Sequence, residues 1–367
     1  MRVALIVMVV LVGCGPVASD EDAGTGGGAA GGGAAATGGG SATGGGGGGS
    51  TDAGEPDAGE PDAGQPDAGV DAGSTVVDSG VLIVDRTNPQ IYRFQFTAAA
   101  ADPDAGTALG NEVAAFDTRV APRGILVVYL HGAGAPTTCG SVAHEDFLAF
   151  RGFHVIGPCY NSNYGVGNCG NDIGGCRLEA FDGMDRTSVI TITRSDSIEE
   201  RIIRMLRRLQ TLNPQGGWEY YLVNGAPRWD RIIISGISHG ASTAGLIAKV
   251  RPVERAVMLS GPLDTNQAWL TMTSVTASEK MWGFTHSVDT QHTGHLAAFT
   301  AMMLPGTPQQ IELGTPKWND SHRLFTSIDA GNSDQSHSST QAGGGSPRAA
   351  DGGYRFGDAW DVMYGVQ

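Results

Sequence analysis

The chain has 367 residues, 57 of them glycine, and carries a formal net charge of −15 from 23 Lys and Arg against 38 Asp and Glu. Ten of the acids and no base lie between Asp20 and Asp71, so the chain from Thr75 onward is only mildly acidic, with 28 acids against 22 bases. The one basic group, Arg201, Arg204, Arg207 and Arg208, reads as the solvated face of an amphipathic helix, which disfavours nucleic acid as a partner.

The N-terminus opens with Met1-Arg2 and an apolar run from Val3 to Val12, too short to span a bilayer and the right length for the core of a secretory signal peptide. Gly13-Cys14 after that run resembles the lipobox of bacterial lipoproteins. The resemblance implies a signal peptide over 1–13 and a lipid on Cys14. With no Asp at position 15, it also implies an envelope protein at the outer membrane or cell surface. Residues 14–75 are Gly/Ala/Thr runs followed by Asp52-Ala53-Gly54-Glu55-Pro56 and its near copies. Such composition buries almost nothing, so it cannot offset the entropy of ordering a backbone. A calcium-binding repeat of this period would need an apolar residue in each unit, and only Ala is present. The expectation is a flexible spacer reaching about 40 to 45 Å over roughly 60 residues.

From residue 76 to 367 no second linker interrupts the chain, which is expected to form one domain. Besides Cys14 it holds Cys139, Cys159, Cys169 and Cys176, an even number in an exported chain, so disulfides are expected. Three pairings are open. The short Cys169-to-Cys176 loop favours that pair, leaving Cys139 with Cys159, and closely paired ligands for a zinc site are absent.

In chain order the domain alternates strands and helices. Gly124 to Leu130 and Phe153 to Gly157 read as buried strands around a helix near Glu145 to Phe150. Ser197-Ile198-Glu199-Glu200 reads as a capping box opening a helix with Ile198, Ile202, Leu206 and Leu209 on one face. Strands follow at Arg231 to Ile234, Arg255 to Leu259, Met281 to Thr285 and Arg323 to Ile328. Helices are expected at His239 to Val250, around Trp269, at Leu296 to Met303 and near Trp360. The alternation argues for a mostly parallel central sheet with helices on both faces, and ligand sites in such sheets form beyond the carboxyl ends of the strands.

Gly236-Ile237-Ser238-His239-Gly240, between a β-branched strand and an Ala/Leu/Ile helix, is similar to the nucleophile elbow of α/β hydrolases. The resemblance covers about residues 80 to 367 and implies that family's three-layer αβα sandwich. It makes Ser238 the nucleophile, with glycines two before and two after where strand and helix pass closely. The family's chain order then places the acid at Asp289, in the loop after the Met281 strand, with Asp264, one strand earlier, as the alternative. His337, in a polar loop from Asp334 to Thr340, falls at the position of the base, whereas His322 and His131 do not. His131-Gly132-Ala133-Gly134-Ala135 resembles the oxyanion element, giving the amides of Ala133, or Gly134, and His239 as donors.

The resemblance to this family implies a carboxylic ester hydrolase, expected to be monomeric, with a small-molecule or polymeric ester as substrate, needing no cofactor and no metal, and tethered to the membrane through Cys14. Two alternatives follow from the same residues. One is an inactive hydrolase-fold binding protein. The other is a metal-dependent hydrolase using His286, Asp289, His292 and His295, although a three-residue spacing that runs from strand end to helix does not keep to one helical face.

Overall fold

The structure is a computed structural model that describes residues 80–106, 109–134, 136–170, 172–343 and 345–366. The expected signal peptide, Cys14 and the 14–75 spacer lie outside these residues.

Among the described residues, a nine-stranded sheet forms from β1 (Ile91–Thr97), β2 (Asn111–Asp117), β3 (Leu126–Leu130), β4 (His154–Gly157), β5 (Ile232–Ile237), β6 (Arg255–Leu259), β7 (Met281–His286), β8 (Gln309–Gln310) and β9 (Arg323–Thr326). The spatial order is β1-β2-β4-β3-β5-β6-β7-β9-β8. β1 and β2 run antiparallel at one edge, and every pairing from β4 to β8 is parallel. The antiparallel edge was not among the strands expected from sequence.

Seven helices matter to the site: α1 (Val142–Ala149), α2 (Ile173–Asp182), α3 (Ile198–Leu212), α4 (His239–Val250), α5 (His292–Ala301), α6 (Ser333–Ser339) and α7 (Gly357–Met363). Alternation along the parallel strands divides the core in two. Leu126, Val128, Leu130, Ile232 and Ile234 pack with α2, α3 and α4, whereas Val127, Tyr129, Ile233 and Val257 pack with α1 and α7. Helices therefore cover both faces of a sheet whose central strands are buried throughout. No described helix is long and apolar enough to cross a membrane.

The structure corrects several expectations. Ser197 caps α3 by accepting the Glu200 N–H at 3.3 Å, but the Glu200 carboxylate turns to Arg194 and Arg204 instead of closing a capping box. Arg201 is no part of a solvated face; it is buried and paired with Asp196 at 2.6 Å, because its position in α3 lies beside Ile198 and Ile202 in the packed interior. The segment around Trp269 is a single 3-10 turn, Ala268–Thr271. The polar loop expected at Asp334 to Thr340 is the helix α6, opened by a reciprocal capping box between Asn332 and Gln335.

Candidate active site

Strand β5 runs into α4 through Ser238, which takes φ 56 and ψ −116. A non-glycine residue held there stores about 1–3 kcal/mol of backbone strain, a cost that persists only where the surroundings enforce it. The enforcement comes from close packing of the turn against β3. A Cβ at Gly236 would fall 2.6 Å from the carbonyl oxygen of Leu130, and one at Gly240 only 2.1 Å from the same atom. Both positions therefore exclude a side chain for steric reasons, independently of the chain's glycine content. The Ser238 N–H donates to the Leu259 carbonyl at 2.9 Å, tying the turn to the end of β6.

Just beyond β6, Ser260 is buried with φ 44 and donates its hydroxyl to the carbonyl oxygen of His337 at 2.8 Å. Its N–H donates to Phe284 on β7 at 2.8 Å. One residue thus anchors the last turn of α6, which carries His337, to two strand ends. His337 Nδ1 then donates to Asp289 Oδ2 at 2.7 Å. Asp289 lies just beyond β7 and is fully buried, while the His337 side chain keeps 19% exposure, which leaves the ring a face toward solvent. Burial alone would raise the Asp289 carboxyl. The His337 hydrogen bond and the Gln291 N–H, at 2.9 Å from Oδ1, outweigh it and hold the group below its ordinary value.

The alternative acid is committed elsewhere. Asp264 is buried in a two-point pair with Arg177, Nε to Oδ2 at 2.6 Å and Nη2 to Oδ1 at 2.8 Å, and also accepts Trp269 Nε1 at 2.9 Å. Arg177, on α2, in turn contacts the His239 carbonyl at 3.2 Å and the His239 ring Nε2 at 3.3 Å. Sequence reasoning missed Arg177; it follows Cys176 on α2, in a stretch whose only visible signal was the cysteine spacing.

The loop after β3 lies against the elbow: a Cβ at Gly132 would sit 3.6 Å from that of Ser238. Ala133 is exposed, and His239 is buried and neutral because desolvation and Arg177 push its pKa well down. Disulfides join Cys139 to Cys159 and Cys169 to Cys176, with Cα separations of 5.2 and 6.5 Å.

The four-residue metal set read from spacing does not assemble. His286 spends both ring nitrogens on backbone groups, Nε2 on the Ile328 carbonyl at 2.7 Å and Nδ1 on the Val288 N–H at 3.1 Å. Instead Asp289, His295 and His337 bring ligand-capable atoms within 4.8 Å of one another. His295 is buried, bonded through Nδ1 to Thr285 Oγ1 at 2.8 Å, and lowered to about 4 by desolvation. His322 accepts no role here; it stacks on Trp282 at 3.9 Å, with Nδ1 on the Met281 carbonyl.

The strand order, the crossover helices on both faces and the strained serine turn after β5 define an α/β-hydrolase fold. No family model and no curated protein matches the chain. Solved structures show a faint likeness. A phosphonate-inhibited esterase B from Lactobacillus rhamnosis aligns with 12% identity over 65% of this chain and 75% of its own, with a TM-score of 0.35. The Staphylococcus aureus fluorophosphonate-binding serine hydrolase FphF aligns with 13% identity over 68% and 93%, with a TM-score of 0.37. S-formylglutathione hydrolase from the same organism gives 11% over 70% and 94%, with a TM-score of 0.37. At these scores the likenesses carry no argument about activity or substrate.

Proposed function

We propose that the protein is a serine hydrolase acting on carboxylic esters. The observation that carries this reading is the strained Ser238 at the end of a central parallel strand, with the His337–Asp289 pair tied to the neighbouring strand end through Ser260. In this reading Ser238 Oγ attacks the ester carbonyl and His337 takes its proton. Asp289 keeps the imidazole oriented and stabilises it once charged. The tetrahedral oxyanion is held by the amides of Ala133 and His239. His337 then returns the proton to the leaving alcohol, and water repeats the sequence to release the acid. A small or polymeric ester, acted on by a monomer tethered through a lipid on Cys14, completes the proposal.

A fluorophosphonate probe is expected to label the wild-type protein at Ser238, and Ser238→Ala is expected to lose both label and esterase turnover. Turnover that survives Ser238→Ala and disappears with a chelator would overturn the reading in favour of a metal-dependent hydrolase. Cys14→Ser should move the protein from the membrane fraction to the soluble one; an unchanged distribution refutes the tether.

A further inference from the structure

The two amides assigned to the oxyanion belong to different parts of the chain, Ala133 in the loop after β3 and His239 at the start of α4. Two side chains just beyond β4 contact these parts, Tyr160 both of them and Ser162 the loop. Tyr160 is fully buried, and its hydroxyl donates to the His131 carbonyl at 2.7 Å. The same oxygen lies 3.3 Å from His239 Nδ1. A phenol has one proton, and it is spent on His131, so the network assigns the second contact as His239 Nδ1–H donating to Tyr160. His239 Nε2 is then an acceptor, which suits the Arg177 Nη1 at 3.3 Å. In that assignment Arg177, His239, Tyr160 and the His131 carbonyl form one donor-to-acceptor chain.

Ser162 completes the arrangement on the loop side. Its hydroxyl lies 3.2 Å from the Gly132 carbonyl and 2.9 Å from that of Gly134. In a trans peptide the N–H points opposite to the preceding C=O. The Gly132 carbonyl has His131 Nδ1 at 2.7 Å and also faces Ser162, whose single proton suits the nearer Gly134 carbonyl, so the Ala133 N–H points away from both. The Cys139–Cys159 disulfide closes the same unit, since it joins the chain beyond the loop to the residue before Tyr160.

We propose that Tyr160 is a positioning residue that sets the gap between the two oxyanion donors, with Ser162 bracing the loop that carries one of them through the Gly134 carbonyl. The catalytic part of this rests on the serine hydrolase reading above. Neither side chain touches the substrate; both act through the amides that do.

The test uses Tyr160→Phe and Ser162→Ala in the full chain, with a p-nitrophenyl ester as substrate and a fluorophosphonate as label. Each variant is expected to lower kcat on the order of 10- to 100-fold with KM little changed, and to slow labelling of Ser238 in parallel. The pH dependence of kcat/KM should keep its midpoint, because the His337–Asp289 pair is untouched. Variants that fold with the wild-type Tm and keep wild-type kcat and labelling rate overturn the proposal, as does a loss confined to KM. If Tyr160→Phe fails to fold, Ser162→Ala alone decides the point. A readout independent of catalysis comes from protein carrying ¹⁵N only in alanine and histidine. The Ala133 and His239 amide resonances should both move in Tyr160→Phe, and unmoved resonances refute the clamp. Wild-type protein that never labels would instead overturn the hydrolase reading, leaving the clamp to stand or fall on those two resonances.

Discussion

Ser260 gives its hydroxyl to the backbone carbonyl of His337 at 2.8 Å, so the end of β6 holds the last turn of the helix that carries the proposed base. That carbonyl belongs to a helix terminus and has no partner within the helix's own ladder. Thr340 Oγ1 reaches it only at 3.3 Å. Ser260→Ala is therefore expected to cost about 1 kcal/mol of stability and to lower kcat by about tenfold. Thermal unfolding and steady-state kinetics check this together; a variant that loses stability but keeps kcat would show that Ser260 serves packing alone.

The two candidate acids should fail in different ways. Asp289→Asn keeps the shape beside His337 but removes the charge, and is expected to reduce kcat on the order of 10⁴-fold with a nearly native Tm. Asp264→Asn leaves the buried Arg177 guanidinium without its counter-ion, which costs about 3–5 kcal/mol. Comparing Tm with kcat for both variants separates them. A native Tm and abolished turnover in Asp264→Asn would make Asp264 the acid.

Gly240→Ala sets a methyl group 2.1 Å from the Leu130 carbonyl oxygen and 2.6 Å from that of His131, both backbone atoms that cannot step aside singly. The expected loss is at least the ~1–3 kcal/mol typical of overpacking, together with loss of fluorophosphonate labelling. Denaturant unfolding measures the first effect and gel fluorescence the second. Normal stability in this variant would contradict the close approach of β3 to the elbow.

Stability should fall toward alkaline pH. Burial lifts the carboxyl of Glu112 on β2 from 4.5 to about 8, with Arg201 pulling the other way, and Glu145 on α1 rises to about 8 by the same cause. The folded chain therefore keeps protons that the unfolded chain has already released. The stabilisation is complete below about 4.5 and is lost as pH climbs through about 8. Glu112→Gln removes one such group. Its Tm, compared with wild type at about pH 5, 7 and 9, should gain on wild type as pH rises. A constant difference across that range would refute the buried protonated carboxyl.

The elbow was legible because its causes are local. A β-branched strand, two glycines and a small-residue helix sit next to one another in sequence, and α4 has the bounds read for it. The pairing of His337 with Asp289 depended on family order. The spacing of histidines alone pointed to His286 and His292, which bond backbone carbonyls or neighbouring hydroxyls instead. Helix α6 was missed because its residues are polar and weak helix formers, although Asn332 and Gln335 at capping-box spacing announced its start. The Arg177–Asp264 pair joins residues 87 positions apart, which no periodicity in the chain reports, and Arg201 was misread because its charge outweighed its place beside Ile198 and Ile202.

The carbonyl oxygen of Leu130 presses on both glycines of the elbow and stands at the root of the loop that bears Ala133. The proposed nucleophile and oxyanion donors thus share one gauge, the Leu130 carbonyl of the central sheet. Of the segments from Cys159 to Asp185 and from Trp269 to Lys280, the first joins that gauge through the Cys139–Cys159 disulfide, Tyr160, Ser162 and Arg177, and the second through Trp269 on Asp264. Exchange there is open only at exposed positions such as Met184, Met272 and Val275, because Ile173, Phe181, Trp269 and Leu270 in the same segments are buried core.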